Sequence, residues 1–131
     1  MNTFNINDEN YKNSESYQTF LKSNPTEGYL KIRAYAASQA LPISNLKIII
    51  SKVINNDNII FFEGLTNESG IIEKISLPTP KLNDNNLGIP SSISYDIKAT
   101  YQNTIKEYKV NMYENIYVIQ TINIVPKPGE L

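Results

Sequence analysis

The sequence contains neither cysteine nor histidine, and these two absences exclude much of the usual chemistry of protein sites. Without cysteine there is no disulfide framework, no thiolate nucleophile and no cysteine metal site. Without histidine the chain lacks the usual general base near neutral pH and the commonest metal ligand. Catalysis would depend on carboxylates, lysine or tyrosine, and no arrangement of them indicates it. We therefore predict that the protein is not an enzyme and has no catalytic residues, no metal ion and no other cofactor.

Positive charge and long apolar runs are also scarce. Arg33 is the single arginine, acidic and basic residues are interspersed, and the net charge is −1. No basic stripe of the kind that binds nucleic acid is present. The longest apolar runs, Ile48–Ile50 and Ile59–Phe62, are far too short to span a bilayer, and the first residues lack the pattern of a signal peptide. We expect a protein that binds no nucleic acid, does not span a membrane, and stays in the cytoplasm unless it is exported without a leader.

The length of 131 residues matches one domain, which follows a polar arm. Residues 1–27 are rich in asparagine, and a serine within them can cap a short helix over Glu15–Lys22. Such a helix would bring Tyr17, Phe20 and Leu21 onto one face. A helix this short needs a surface to dock on, so these side chains are predicted to contact either their own domain or a neighbouring subunit. The alternative is a disordered, solvated tail.

Residues 28–126 consist of short segments of alternating apolar and polar residues, separated by turn signals. In Tyr95–Tyr101, for example, Ile97 and Ala99 share one face with the two tyrosines. Seven strands are predicted in this way: Tyr29–Ala37, Leu46–Ile54, Ile59–Leu65, Ile71–Leu77, Tyr95–Tyr101, Ile105–Tyr113 and Tyr117–Val125. The predicted fold class is all-β, a seven-stranded antiparallel β-sandwich of two layers. Residues 127–131 are predicted to form a C-terminal tail.

Three parts of the strand region resemble a known family. They are Gly28–Ile32 followed by Leu41–Leu46, then Gly64–Gly70, then Tyr95–Ala99. Pro42 pre-sets φ where a strand begins, and the turn from Asn67 to Gly70 suits a hairpin. Over residues 28–125 the chain resembles the carboxypeptidase regulatory-like, or transthyretin-like (prealbumin-like), β-sandwich domains. The whole arrangement also looks like such domains in spore-forming Firmicutes.

This resemblance implies a non-catalytic interaction or assembly module, a structural component of the spore or cell envelope. Its partner would be another protein or a second copy of the chain, giving a homo-oligomer. The alternative is an accessory module that binds carbohydrate or peptidoglycan of the cell wall through exposed aromatic rings. The candidate contact residues are Tyr113, Tyr117 and Tyr35 in the strand region and Tyr17, Phe20 and Leu21 on the arm helix.

Overall fold

The structure, a computed structural model, describes residues 1–36, 40–82 and 90–125. Two β-sheets enclose the core, and two short helices, α1 (Glu9–Lys12) and α2 (Glu15–Ser23), lie near the N-terminus. Neither described helix is long and apolar enough to cross a membrane. The predicted tail, residues 127–131, lies outside the described residues. The strands are β1 (Thr3–Asn5), β2 (Thr26–Ala36), β3 (Leu41–Pro42), β4 (Lys47–Ile54), β5 (Asp57–Leu65), β6 (Ile71–Thr79), β7 (Ile93–Tyr101), β8 (Thr104–Met112) and β9 (Tyr117–Asn123).

The larger sheet has five strands in the order β1-β5-β4-β7-β8. Its four long strands pair antiparallel, whereas β1 runs parallel to β5. A β-bulge between Ile50 and Ser51 shifts the register of β4 against β5, so that Lys52 pairs with the buried Ile59. Lys52 lies two residues after the buried Ile50, and directly paired residues point to the same face of a sheet, so the lysine is on the core side.

The smaller sheet is built around β2, which pairs antiparallel with β6 and β3 and parallel with β9. The prediction of seven antiparallel strands is therefore wrong in number and in direction. The described residues contain nine strands, and two of the pairings are parallel. The two additional strands, β1 and β3, span only three and two residues, which is too short for an alternating pattern to appear in the sequence.

The core lies between the inner faces of the two sheets. Leu30 and Ile32 from β2 have no exposed surface, and neither have Ile48 and Ile50 from β4. Successive side chains of a strand point to opposite faces, so the residues between them are directed outward. Each fully buried aliphatic side chain of this kind stabilises the fold by roughly 1.5–3 kcal/mol. The outer faces of both sheets thus remain available for a functional site.

The arm docks on its own domain through α2. Ser14 caps the helix, because its Oγ accepts a hydrogen bond from the backbone N–H of Tyr17 at 3.2 Å. The rings of Tyr17 and Phe20 lie 6.4 and 5.7 Å from the ring of Phe61 on β5. Leu21 packs against the same core. Of the two docking modes that the sequence left open, the structure has the one within the chain.

The turn between β5 and β6 depends on an asparagine and a glycine. The Oδ1 of Asn67 accepts hydrogen bonds from the backbone N–H groups of Ser69 and Ile71 at 2.9 and 3.0 Å. Gly70 has a φ of +75°, and a Cβ at this position would clash with the carbonyl oxygen of Ala34. Glycine is therefore required where the turn brings β6 alongside β2.

Candidate functional site

The outer surface of the smaller sheet carries aromatic and cationic side chains in alternation with its buried residues. Tyr29, Lys31, Arg33 and Tyr35 occupy every second position of β2, and each is half-buried. The parallel pairing with β9 places Tyr117 beside Tyr29. We call the surface formed by these five residues and Lys74 the tyrosine–cation face.

Two stacked tyrosines form one end of this face. The ring centroids of Tyr29 and Tyr117 are 5.1 Å apart, with their planes inclined by 33°. The Nζ of Lys74, from the neighbouring β6, lies 4.5 Å from the centroid of the Tyr29 ring, which is a cation–π distance. Tyr117 remains 55 % exposed, so much of this aromatic surface is open to a ligand.

Arg33 and Tyr35 form the other end of the face. The Arg33 guanidinium lies 5.2 Å from the Tyr35 ring centroid, and its Nε and Nη2 donate to the Tyr35 hydroxyl at 3.1 and 2.8 Å. Since that hydroxyl oxygen accepts from arginine, its own proton is left to donate to a ligand. Between the two ends, Lys31 Nζ lies 3.4 Å from the Glu73 carboxylate. Within the described residues, Arg33 and Lys74 form no ion pair.

A second candidate is an open groove of about 420 Å³ on the larger sheet, lined by Ser51 and by charged residues of β7 and β8. Lys109 Nζ lies 2.7 Å from Asp96 Oδ1, and Lys98 is level with Glu107 in the strand pairing. Each lysine of the groove therefore faces a carboxylate on the adjacent strand. These exposed charges neutralise one another, which leaves little net attraction for a charged ligand.

Lys52 and Tyr95 are two polar side chains on the inner side of the larger sheet, and both bind backbone carbonyl groups. Lys52 Nζ donates to the Ser94 oxygen at 2.8 Å, and burial lowers its pKa against the opposing effect of Asp96. The Tyr95 hydroxyl donates to the Pro78 oxygen at 2.5 Å, and burial raises its pKa. An altered pKa does not by itself define a site, and these contacts fix the two side chains as part of the scaffold. Within the described residues no cluster of three or more acidic side chains could hold a metal ion.

The structure separates the predicted contact residues into three places. Tyr35 and Tyr117 lie on the tyrosine–cation face. Tyr113 follows the end of β8, where it is half-buried and its carbonyl oxygen lies close to Gly28. The three aromatic and aliphatic residues of the arm helix pack on the domain's own core. A role of these residues in binding a partner stays a prediction.

Sequence reasoning missed four residues of the tyrosine–cation face as contact residues: Tyr29, Lys31, Arg33 and Lys74. Tyr29 lies on the same face of β2 as Lys31, Arg33 and Tyr35. The alternation of apolar and polar residues in this strand already indicated that shared face. Lys74 could not be found in this way, because a register shift interrupts the pairing of β2 with β6 just beside it. Its contact with Tyr29 arises only when the two strands have paired.

The two sheets define a transthyretin-like β-sandwich, the fold that the sequence resemblance implied. The solved structure of 5-hydroxyisourate hydrolase from Klebsiella pneumoniae shares it, with a TM-score of 0.53 and 15 % sequence identity over 76 % of this chain and 91 % of that one. At this identity the likeness shows the fold alone. No protein-family model matches the sequence, and no curated protein matches it significantly.

This structural neighbour corrects the predicted function. The sequence resemblance implied a non-catalytic interaction or assembly module that is not an enzyme, yet the neighbour with the same fold is a hydrolase. The step from a transthyretin-like sandwich to a non-catalytic role is therefore wrong, because this fold also supports catalysis. The origin of the chain in a spore-forming bacterium stays a prediction.

Proposed function

We propose that this protein binds a small, flat, negatively charged molecule on the tyrosine–cation face. The observation that carries the proposal is the stacked pair of Tyr29 and Tyr117 with three cations near it. Lys74 lies against the Tyr29 ring, and Lys31 and Arg33 follow along β2. This arrangement combines a stacking surface with nearby positive charge.

The aromatic end supports binding of a flat molecule. A planar ligand that stacks on the exposed Tyr117 ring gains aromatic contact worth roughly 0.5–1.5 kcal/mol beyond the burial of its area. Tyr29 and Lys31 lie about 7 Å apart along the strand, and Tyr29 and Arg33 about 13 Å. One or two fused rings therefore extend from the tyrosine pair to Lys31, and a polar substituent extends toward Arg33.

The cationic end supports binding of an anion. The chain as a whole is slightly acidic, yet three cations lie on this face and the Glu73 carboxylate is paired with one of them. Two of the five N–H groups of Arg33 bind Tyr35, which leaves the other three and the Tyr35 hydroxyl proton to donate to an anionic oxygen. Hydrogen bonds between a guanidinium and an anion are about twice as strong as neutral ones.

Hydrolysis of the bound molecule is a second candidate function, because the fold is shared with a hydrolase. Glu73 is a carboxylate on this face that could take a proton from an attacking water molecule. The water oxygen would bond to a carbonyl carbon of the substrate, and Lys31, 3.4 Å from Glu73, would stabilise the negative charge that develops on the carbonyl oxygen. The proton taken by Glu73 would pass to the leaving group as the bond between that group and the carbon breaks. 5-hydroxyisourate, the compound in the neighbour's name, is accordingly a substrate to test.

Calorimetric titration with three probes tests the binding proposal. Urate is flat and anionic, caffeine is flat and neutral, and citrate is anionic but not planar. We expect urate to bind more tightly than the other two. Arg33→Gln and Tyr117→Ala should each weaken urate binding about tenfold, the effect of one lost favourable contact. The matched controls are Lys98→Gln and Ile105→Ala, which change exposed residues of the larger sheet.

The possible outcomes separate the two candidate functions. Equal affinity for all three probes, or urate binding that neither face variant changes, would contradict the binding proposal. Conversion of 5-hydroxyisourate above its spontaneous rate, with loss of that activity in Glu73→Gln, would support hydrolysis. Binding without conversion would leave the first proposal standing and refute the second.

Self-association is a separate proposal, which concerns the partner rather than the ligand. If a second copy of the chain covers the tyrosine–cation face, Tyr117 lies within the contact. Light scattering after size-exclusion chromatography then gives a dimer mass for the parent and a monomer mass for Tyr117→Ala. A monomer mass for both proteins would exclude this contact, and binding of another protein or of cell-wall glycan would need its own assay.

A further inference from the structure

We infer that Glu73 determines which flat anions bind to the tyrosine–cation face, and that it selects those with a ring N–H beside the anionic group. The inference rests on the function proposed above for this face. It starts from an irregularity in β6, where two successive residues, Glu73 and Lys74, both contact the outer surface of β2.

The pairing of β2 with β6 contains a β-bulge opposite Lys31. Leu30 pairs with Ile75 and Ile32 pairs with Ile72, so two residues of β6 lie opposite Lys31 alone. Ile75 is buried, and Ile72 packs against the core. In a regular strand one residue separates two that face inward, whereas here two residues separate them.

The two residues of the bulge are exposed, and each contacts a different residue of the face. Glu73 Oε1 lies 3.4 Å from Lys31 Nζ, and Lys74 Nζ lies 4.5 Å from the centroid of the Tyr29 ring. Without the bulge one of the two would point into the apolar core, where an unpaired charge is costly. The bulge therefore adds both an acidic and a basic side chain to the face at one level of the strand.

The Glu73 carboxylate can accept a hydrogen bond from a ligand. Its side chain is 76 % exposed, whereas that of Lys31 is 26 % exposed. The distance of 3.4 Å between the two charged groups is longer than an ordinary hydrogen bond of about 2.7–3.2 Å. A carboxylate has two oxygens and accepts several hydrogen bonds, so a ligand N–H can bind Glu73 while Lys31 stays in place.

Lys31 and Glu73 together present a hydrogen-bond donor beside an acceptor. Lys31 donates to the anionic group of the ligand, and Glu73 accepts from an N–H next to that group. An anion without this N–H places only acceptor atoms against the carboxylate, which repels them. Glu73 therefore discriminates among flat anions by disfavouring those that lack the donor.

Calorimetric titration of the full chain with two isosteric probes tests the inference. Indole-2-carboxylate carries a ring N–H beside its carboxylate, and benzofuran-2-carboxylate carries a ring oxygen at that position. We expect the parent to bind the indole about tenfold more tightly, the effect of one hydrogen bond to a charged group. Glu73→Ala should abolish this preference. Because the two probes have the same charge, the ratio of their affinities isolates the hydrogen bond.

The matched control is Glu107→Ala, which removes an exposed carboxylate from the larger sheet and should keep the preference of the parent. The Glu73 side chain is mostly exposed, so Glu73→Ala should fold like the parent, which a melting curve verifies.

Equal affinity of the parent for the two probes, or no binding of either, would overturn the inference. A preference that Glu73→Ala leaves unchanged, or that Glu107→Ala abolishes equally, would overturn it as well. Titration of the same proteins with urate keeps the two proposals apart. Urate binding that Arg33→Gln weakens would support the tyrosine–cation face as a binding site even where Glu73 makes no distinction between the probes. No binding of urate or of either probe would refute both.

Discussion

The aromatic rings of the arm and the larger sheet form a continuous inner chain, whereas those of the smaller sheet lie on its outer surface. Neighbouring rings of the inner chain are between 5.1 and 6.4 Å apart. The outer rings are Tyr29 and Tyr117, which stack on each other, and Tyr35, which is covered by Arg33. The inner chain consists of Phe4, Tyr11, Tyr17, Phe20, Phe61 and Tyr95.

The two sets differ in what surrounds the rings. Tyr17 and Tyr95 are 7 % and 1 % exposed, and their rings contact other aromatic rings, so they hold the arm to the sheet. The outer tyrosines are partly exposed, and cationic side chains lie against the rings of Tyr29 and Tyr35. They therefore present a surface to a ligand. Tyrosine therefore stabilises the fold in one region and provides a ligand-binding surface in the other. Substitutions in the two regions should consequently affect different properties.

The largest effect is expected at the centre of the inner chain. Phe61→Ala removes a buried ring that contacts Tyr17, Phe20 and Tyr95, and should lower the free energy of unfolding by about 3–5 kcal/mol. Urea denaturation measures this change. A loss no greater than that of Tyr117→Ala would contradict the distinction between the inner and outer rings.

A smaller loss is expected where the arm docks. Phe20→Ala combined with Leu21→Ala should lower the free energy of unfolding by about 2–4 kcal/mol, because both side chains are only half-buried. Hydrogen exchange should show faster exchange in α2. Thr19→Ala, at an exposed position of the same helix, is the control and should stay within about 0.5 kcal/mol. Loss of oligomer mass without loss of stability would instead indicate docking between chains.

Alkaline pH should lower the free energy of unfolding through the buried tyrosines among the inner rings. Burial raises the pKa of Tyr11, Tyr17 and Tyr95 above 10.0. Above pH 10 the unfolded chain loses phenol protons that the folded chain keeps, so the stability present below pH 10 decreases as pH rises. Each such phenol contributes a slope of up to about 1.4 kcal/mol per pH unit. Urea denaturation between pH 9 and 11 should show a smaller slope for Tyr17→Phe than for the parent.

The smallest effect on stability is expected on the outer surface. Tyr117→Ala should change the free energy of unfolding by less than about 1 kcal/mol, because its ring is more than half exposed and stacks on Tyr29 alone among the described rings. The same substitution should nevertheless weaken urate binding. If Tyr117→Ala were clearly less stable than the parent and still bound urate equally well, the distinction between inner and outer rings would be wrong.

The strands that could be predicted from the sequence are those in which burial follows a period of two. Ile97 and Ala99 are buried as the alternation of β7 indicated, and the arm helix, predicted over Glu15–Lys22, extends over Glu15–Ser23. The bulge between β4 and β5 could not be predicted, because it depends on how the two strands pair. The same holds for the parallel pairing of β2 with β9, since nothing in either segment specifies its partner.

The candidate site was predictable only in part for the same reason. Tyr35 and Tyr117 were candidate contact residues because their rings were expected to be exposed, but their positions on one face follow from the pairing of β2 with β9. Tyr29 becomes part of a stacked pair only through that pairing. The function was predicted wrongly because a resemblance of fold was taken to carry an activity class, which a fold does not specify.

The pairing of β2 with β9 also has a consequence for the order of events during synthesis on the ribosome. Tyr29 leaves the ribosome early, but the strand that brings Tyr117 to it is among the last parts of the domain to emerge. Contacts between residues so far apart in sequence form slowly, because a long loop must close first. While the nascent chain is still growing, the edge of β2 that later pairs with β9 is open to other strands. The pairing of β9 with β2 therefore completes the binding face and covers that edge in one late step.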